Sequence, residues 1–158
     1  MKAVSYWFWI VGSVLVGLLI LSIVYKQLSI TMKSASEEKS IEEFNSLATK
    51  ANTLCWNFIG NVRETTIDLA PSVERVYATK DKHIIPKTKK TTEGTYICLL
   101  LKNKRPLCHE LDCNVSVPYL SANASLSSLV NKLLGRPALT TYKLKLERTD
   151  FGVNITVE

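Results

Sequence analysis

From Tyr6 to Tyr25 the chain reads YWFWIVGSVLVGLLILSIVY, a run without one charged residue. At 1.5 Å of rise per residue a helix of this run is about 30 Å long, the thickness of a bilayer's hydrocarbon core. Tyr6, Trp7 and Trp9 stand at one end and Tyr25 and Lys26 at the other, where amphipathic and cationic side chains meet lipid headgroups. Two other readings compete, a cleaved secretory signal and a buried core helix. A secretory signal has an apolar core of only about 7–15 residues and then a small-residue cleavage site. Here Lys26-Gln27-Leu28 follows instead. The run therefore predicts a retained membrane helix over 6–25, behind a short flank or leader at 1–5.

The chain has 158 residues, with 20 Lys and Arg against 14 Asp and Glu, a net charge of +6. After the anchor about 130 residues remain, enough for one soluble domain with a modest core. The basic excess is spread out, and no stretch has the low hydrophobicity of a disordered tail. Cys55, Cys98, Cys108 and Cys113 all follow the membrane run. An even number in one small domain reads as two disulfides, which require an oxidising, non-cytosolic side. Counting positive charges alone, with Lys2 before the run and Lys26, Lys33 and Lys39 after it, places the domain inside. The cysteines and three sequons, at Asn114, Asn123 and Asn154, place it outside. The expectation is a single-pass protein with its C-terminal domain outside the cell, N-glycosylated at those asparagines.

Within the run, Ser13 and Gly17 form a small-xxx-small pair that permits close helix packing, with Gly12 and Ser22 elsewhere on the surface. A helical extension is expected over 26–58. Ile41, Phe44, Ala48, Ala51 and Cys55 follow 3–4 spacing, while Glu42, Glu43, Asn45, Lys50 and Asn52 face away. Ser34-Ala-Ser-Glu37 and Ser40-Ile-Glu-Glu43 both read as capping boxes, so the helix either breaks near residues 34–40 or runs on unbroken, roughly 50 residues from membrane to domain. Gly60 ends it in either case.

From residue 59 the domain reads as β-rich, giving an α+β protein with an antiparallel sheet and one additional short helix. Val62–Leu69 and Val73–Tyr77 are strands separated by a Pro71-Ser72 turn. The most basic loop, Lys80 to Lys90, would suit an anionic glycan, headgroups or nucleic acid, and reads first as a solvated loop. It has none of the interleaved aromatics of a single-strand platform, so nucleic acid is not expected as a partner. Thr95–Leu101 is the most apolar strand and is expected at the centre of the sheet. A hairpin around Asn103-Lys104 brings Cys98 opposite Cys108, which leaves Cys55 for Cys113; three pairings remain open. Zinc, with His83 or His109 joining the thiolates, is the rival, but there is no Cys-x-x-Cys pair. Asn114–Val117 reads as a short strand, Ser125–Leu134 as a helix, and Thr141–Arg148 and Val153–Val157 as a hairpin turning at Asp150-Phe-Gly152.

No catalytic constellation stands out: no Ser, His and Asp signature, no Gly-rich phosphate loop and no histidine pair at i, i+4 spacing. Neither enzymatic activity nor a cofactor or metal is expected.

Lys2-Ala3-Val4-Ser5 runs straight into the apolar helix, the layout of a prepilin-type signal with its cut between Ala3 and Val4. The glutamate that many such proteins carry a few residues into the helix is absent, Tyr6-Trp7-Phe8-Trp9 standing in its place. Together with the helical extension and a disulfide-bearing β-domain, this resembles an archaeal type IV pilin-like surface protein. The resemblance implies a helix that packs against copies of itself or other pilin-like subunits, and a head displayed on a filament or envelope. The anchored stator proteins of the archaellum are similar in layout and imply instead a fixed module that binds an envelope component, such as an S-layer or anionic glycan.

Overall fold

A computed structural model of the chain describes residues 2–86, 89–122 and 139–158, with side chains from residue 7 onward. Its elements are α1 (Lys2–Cys55), β1 (Val62–Leu69), β2 (Val73–Thr79), β3 (Thr92–Leu101), β4 (Leu107–Val117), β5 (Thr140–Thr149) and β6 (Gly152–Val157). The chain divides into two compact units, residues 1–35 and residues 36–158. The expected helix at Ser125–Leu134 and the sequon at Asn123 lie outside the described residues.

In residues 1–35 the apolar run is helical, and its most apolar stretch has no residue buried in the protein. Trp7, Leu15, Leu19, Leu21 and Ile23 are all exposed. A helix this long and apolar has the length and composition to cross a bilayer, and its surface is uncovered by the rest of the chain. The helix there needs no caps of its own, since every interior N–H finds a carbonyl within the segment. The capping boxes at Ser34 and Ser40 start no new helix: α1 is helical through both.

In residues 36–158 the second part of α1 lies on a six-stranded sheet of order β1-β5-β6-β4-β3-β2. Neighbouring strands are antiparallel except β4 and β6, which run parallel. Phe44, Leu47, Ala48, Ala51 and Leu54 bury against Ile67, Ile97, Leu99, Val115, Leu144, Leu146 and Ile155. The 3–4 stripe is thus the core face of the head, with Leu47 and Leu54 added and Ile41 and Cys55 at its margin. At roughly 1.5–3 kcal/mol for each large apolar side chain buried, this contact is the main source of the head's stability.

Two sequence expectations need correction. Thr95–Leu101 falls in β3, which is second from the edge rather than central. Its unbroken apolarity has another cause: Ile97, Leu99 and Leu101 face the helix-side core, while Cys98 and Leu100 form a second small cluster with Tyr77 on the other face. Cys108 and Asn114–Val117 belong to one strand, β4, whose register against β3 shifts between Gly94 and Tyr96. The extra residues of that irregularity hid the strand's continuity from a period-of-two reading. The turn between β3 and β4 puts Asn103 at φ 59°, a conformation asparagine tolerates better than most residues.

Each sheet edge has backbone donors taken up by other parts of the chain. On β1 the Asp68 N–H donates to the Glu43 carboxylate, and just past the strand the Ala70 N–H donates to Ser40 Oγ at 2.7 Å. Ser40 is fully buried and its hydroxyl donates in turn to the Ser36 carbonyl. On β2 the Val76 N–H donates to the Leu120 carbonyl at 2.9 Å. Residues that read as helix caps therefore serve as plugs for strand donors. Beside them Lys39 Nζ donates to Asp68 Oδ2 at 2.6 Å, and Thr141 donates to Asp68 Oδ1. The hydrogen bond from Lys39, then that from Thr141, holds the Asp68 carboxyl below its ordinary pKa.

Replacing Ser40 by Ala leaves the buried Ala70 N–H without its partner and is expected to cost about 1–3 kcal/mol in chemical unfolding. Because the folded Asp68 pKa is depressed, its contribution is full above the ordinary value of 3.8 and is lost as pH falls through the lower folded value. Unfolding titrations of the wild type and Asp68→Asn should differ by on the order of 0.5–1 kcal/mol at neutral pH, the gap closing only below the ordinary carboxylate range.

Candidate functional site

The residues singled out in the sequence fall on separate surfaces. Ala3 and Val4 lie within α1, close to its start at Lys2. Ser13 and Gly17 share one shallow notch with Gly12, Val16 and Ile20, bordered by Phe8 and Trp9. Gly12 thus joins the pair, contrary to the expectation that it lies elsewhere. A Cβ at Gly12 or Gly17 would meet nothing within 4 Å, so the notch is open to a neighbour. The Ser13 hydroxyl donates to the Ile10 carbonyl at 2.8 Å, which satisfies it in an apolar medium.

All four cysteines are oxidised. Cys98 and Cys108 are directly paired across β3 and β4 and form one disulfide. Cys55–Cys113 ties the end of α1 to β4. No thiolate is left for zinc. His109 lies on the helix side of the sheet, its ring against Phe44 and its Nε2 2.8 Å from Asn45 Oδ1. His83 sits in the basic loop, its N–H donating to Asp81 Oδ1. The described part of that loop is pinned by the Arg75 guanidinium, which donates to the Pro86 carbonyl, and it leaves Ile84 and Ile85 exposed. Lys87 lies outside the described residues.

The parallel contact of β4 and β6 brings two sequons together. Ser116, the hydroxyl residue of the first, is register partner to Asn154, the asparagine of the last. Val115, Val117, Val153 and Ile155 point to the core, so alternation puts Asn114, Ser116 and Asn154 on the face away from α1. There they line a shallow depression of about 420 Å³ with Glu93 and Phe151. Gly152 makes this approach possible: at φ 149° its α-carbon faces the Asn114 carbonyl, which a Cβ would meet at 1.9 Å.

One surface was not read from the sequence. Beyond Cys55 the Trp56 ring is 78% exposed, yet its indole N–H donates to Asp112 Oδ2 at 2.9 Å. The Asp112 N–H donates to Asn52 Oδ1 at 2.9 Å. Thr49, Asn52, Thr53, Trp56 and His109 line a groove of about 460 Å³ between α1 and β4. The only sequence signal was a tryptophan beside a cysteine at a helix end, where neither periodicity nor spacing assigns it a partner.

No protein-family model, no curated protein and no solved structure matches this chain. For the paired sequons, Gly152→Ala is expected to destabilise the head by about 2 kcal/mol or more, since it adds both a backbone clash and a disfavoured φ. A thermal melt of the variant showing no loss would contradict the close β4–β6 approach.

Proposed function

We propose that this chain is a non-enzymatic surface protein, anchored by the apolar part of α1, with its disulfide-bonded head outside the cell. Its role in this reading is that of a pilin-like subunit, major or minor, in a filament or envelope assembly. The observation that carries the reading is the double use of α1. One helical element holds a membrane-length apolar segment with an open Gly12-Ser13-Gly17 notch and also supplies the core face of the head. In lipid, small residues let helix backbones approach, so the notch suits packing against a second copy or another pilin-like helix. The two disulfides suit an oxidising compartment, and Asn114 and Asn154 on the face away from α1 suit glycans.

A second reading, a permanently anchored binding or stator-like module, is favoured by the open groove beside Trp56. The N-terminus separates the two. In protein purified from its native membranes, loss of Met1 to Ala3 in the intact mass is the expected result for a processed pilin-like subunit. An uncut Met1 would sink that reading and leave the anchored module. The same spectrum, compared before and after reduction, should show four hydrogens gained on reduction; none gained would remove the extracytoplasmic placement.

A further inference from the structure

Trp56 is 78% exposed and yet fixed by a directed bond. Its indole N–H is held by Asp112, Asp112 is held by Asn52, and the Cys55–Cys113 disulfide joins the residue before Trp56 to the residue after Asp112. A tryptophan with its polar group committed inward presents only its ring to the outside. That ring is thereby oriented before any ligand arrives, which lowers the ordering cost of binding.

The groove beside it is mixed in character, with the hydroxyl and amide groups of Thr49, Asn52, Thr53 and Asn57 set among Ala48, Trp56 and Leu111. The Thr49 hydroxyl donates to the Asn45 carbonyl and the Thr53 hydroxyl to the Thr49 carbonyl, so both keep oxygen lone pairs for an incoming donor. Asn52 accepts the Asp112 N–H through Oδ1, which leaves its NH2 to donate. His109 adds an imidazole. Glu110 contributes to the wall, but it is register partner to Tyr96, and its charge raises the Tyr96 phenol pKa. An anionic ligand would meet the Asp112 carboxylate with no lysine or arginine among the groove's residues. A wholly apolar ligand would strip water from the amide and hydroxyls without replacing it.

We infer that this groove binds a neutral saccharide chain. A pyranose ring lays its C–H face on Trp56, and its hydroxyls meet the Asn52 amide, the Thr49 and Thr53 oxygens and the His109 imidazole. One aromatic platform ringed by a few convergent polar groups in a concave site is the composition such recognition requires. The rival occupant is a second copy of this chain, because Phe58 and Ile59 follow Trp56 and are also exposed. The Asn52 amide and the Thr49 and Thr53 hydroxyl oxygens set beside the Trp56 ring favour the saccharide, since a purely apolar partner would leave them unpaired. The inference stands apart from the choice between subunit and anchored module.

The test uses the full chain in phosphatidylcholine nanodiscs, without sugar-headed detergents, which would compete. Cellotriose, chitotriose and maltotriose are added in turn and binding is read by saturation-transfer NMR and titration calorimetry. The expected result is binding of at least one trisaccharide, weakened about tenfold or more by Trp56→Ala, an effect equivalent to losing a single stacked ring. Trp56→Phe keeps a platform without the N–H bond and should retain most of the affinity; Phe58→Ala should change nothing. Circular dichroism and unreduced mass establish that each variant is folded and oxidised. No binding of any of the three by the wild type would overturn the inference. So would an equal loss in Phe58→Ala, or self-association of the chain that Trp56→Ala abolishes. None of these outcomes touches the N-terminal mass, so this inference and the assembly reading fail separately.

Discussion

The head depends on one contact, the laying of Phe44, Leu47, Ala48, Ala51 and Leu54 across the inner face of the sheet. Alanines at two of these positions let the helix backbone come close, and the larger residues fill the space on either side. Without this contact the sheet would have one face open to water and a helix with nothing to bury. The sheet's inner residues, among them Ile67, Leu99, Leu144 and Ile155, come from four different strands, so a single helix face holds the strand order together. The Cys55–Cys113 disulfide locks the contact at one end, and the Lys104–Glu37 ion pair lies where the β3–β4 turn meets the helix at the other.

Around the apolar stripe runs a border of polar helix residues, each engaged with a strand. Glu43 takes a backbone donor of β1 and Ser40 one just past its end, and Lys50 donates to Thr65 of the same strand. Asn45 reaches His109, and Asn52 accepts from Asp112, both on β4. These bonds add modestly to stability, about 1 kcal/mol each, but they fix the helix in rotation and register. They also occupy backbone donors at one end of the β1 edge, where exposed amides could otherwise pair with another strand.

The sheet's outer face is divided in character. Toward β2 and β3 it carries Tyr77, Cys98 and Leu100, with the basic loop held near them through Arg75. Toward β4 and β6 it is polar and carries the two sequons in register. The Trp56 groove lies on the other side, between α1 and β4. Structure thus separates surfaces that are interleaved in sequence: Asp112 and Asn114 are two residues apart in the chain and serve two of them.

The membrane-length segment, the helical stripe, the main strands and the Asn103-Lys104 hairpin were legible in the sequence, because each rests on local periodicity or turn chemistry. The hairpin also made Cys98–Cys108 a natural pair, since a register is fixed by its turn. What local pattern could not supply was partnership at a distance. Ser40 and Glu43 match a capping box in sequence, and only the fold shows that β1 lies within reach of their oxygens. The parallel pairing of β4 with β6, the place of β3 beside an edge and the meeting of Ser116 with Asn154 follow from strand order, which alternation does not encode. Trp56 is the same case in one residue: its sequence neighbourhood says nothing, and its meaning comes from Asp112, brought beside it when the helix packs on the sheet.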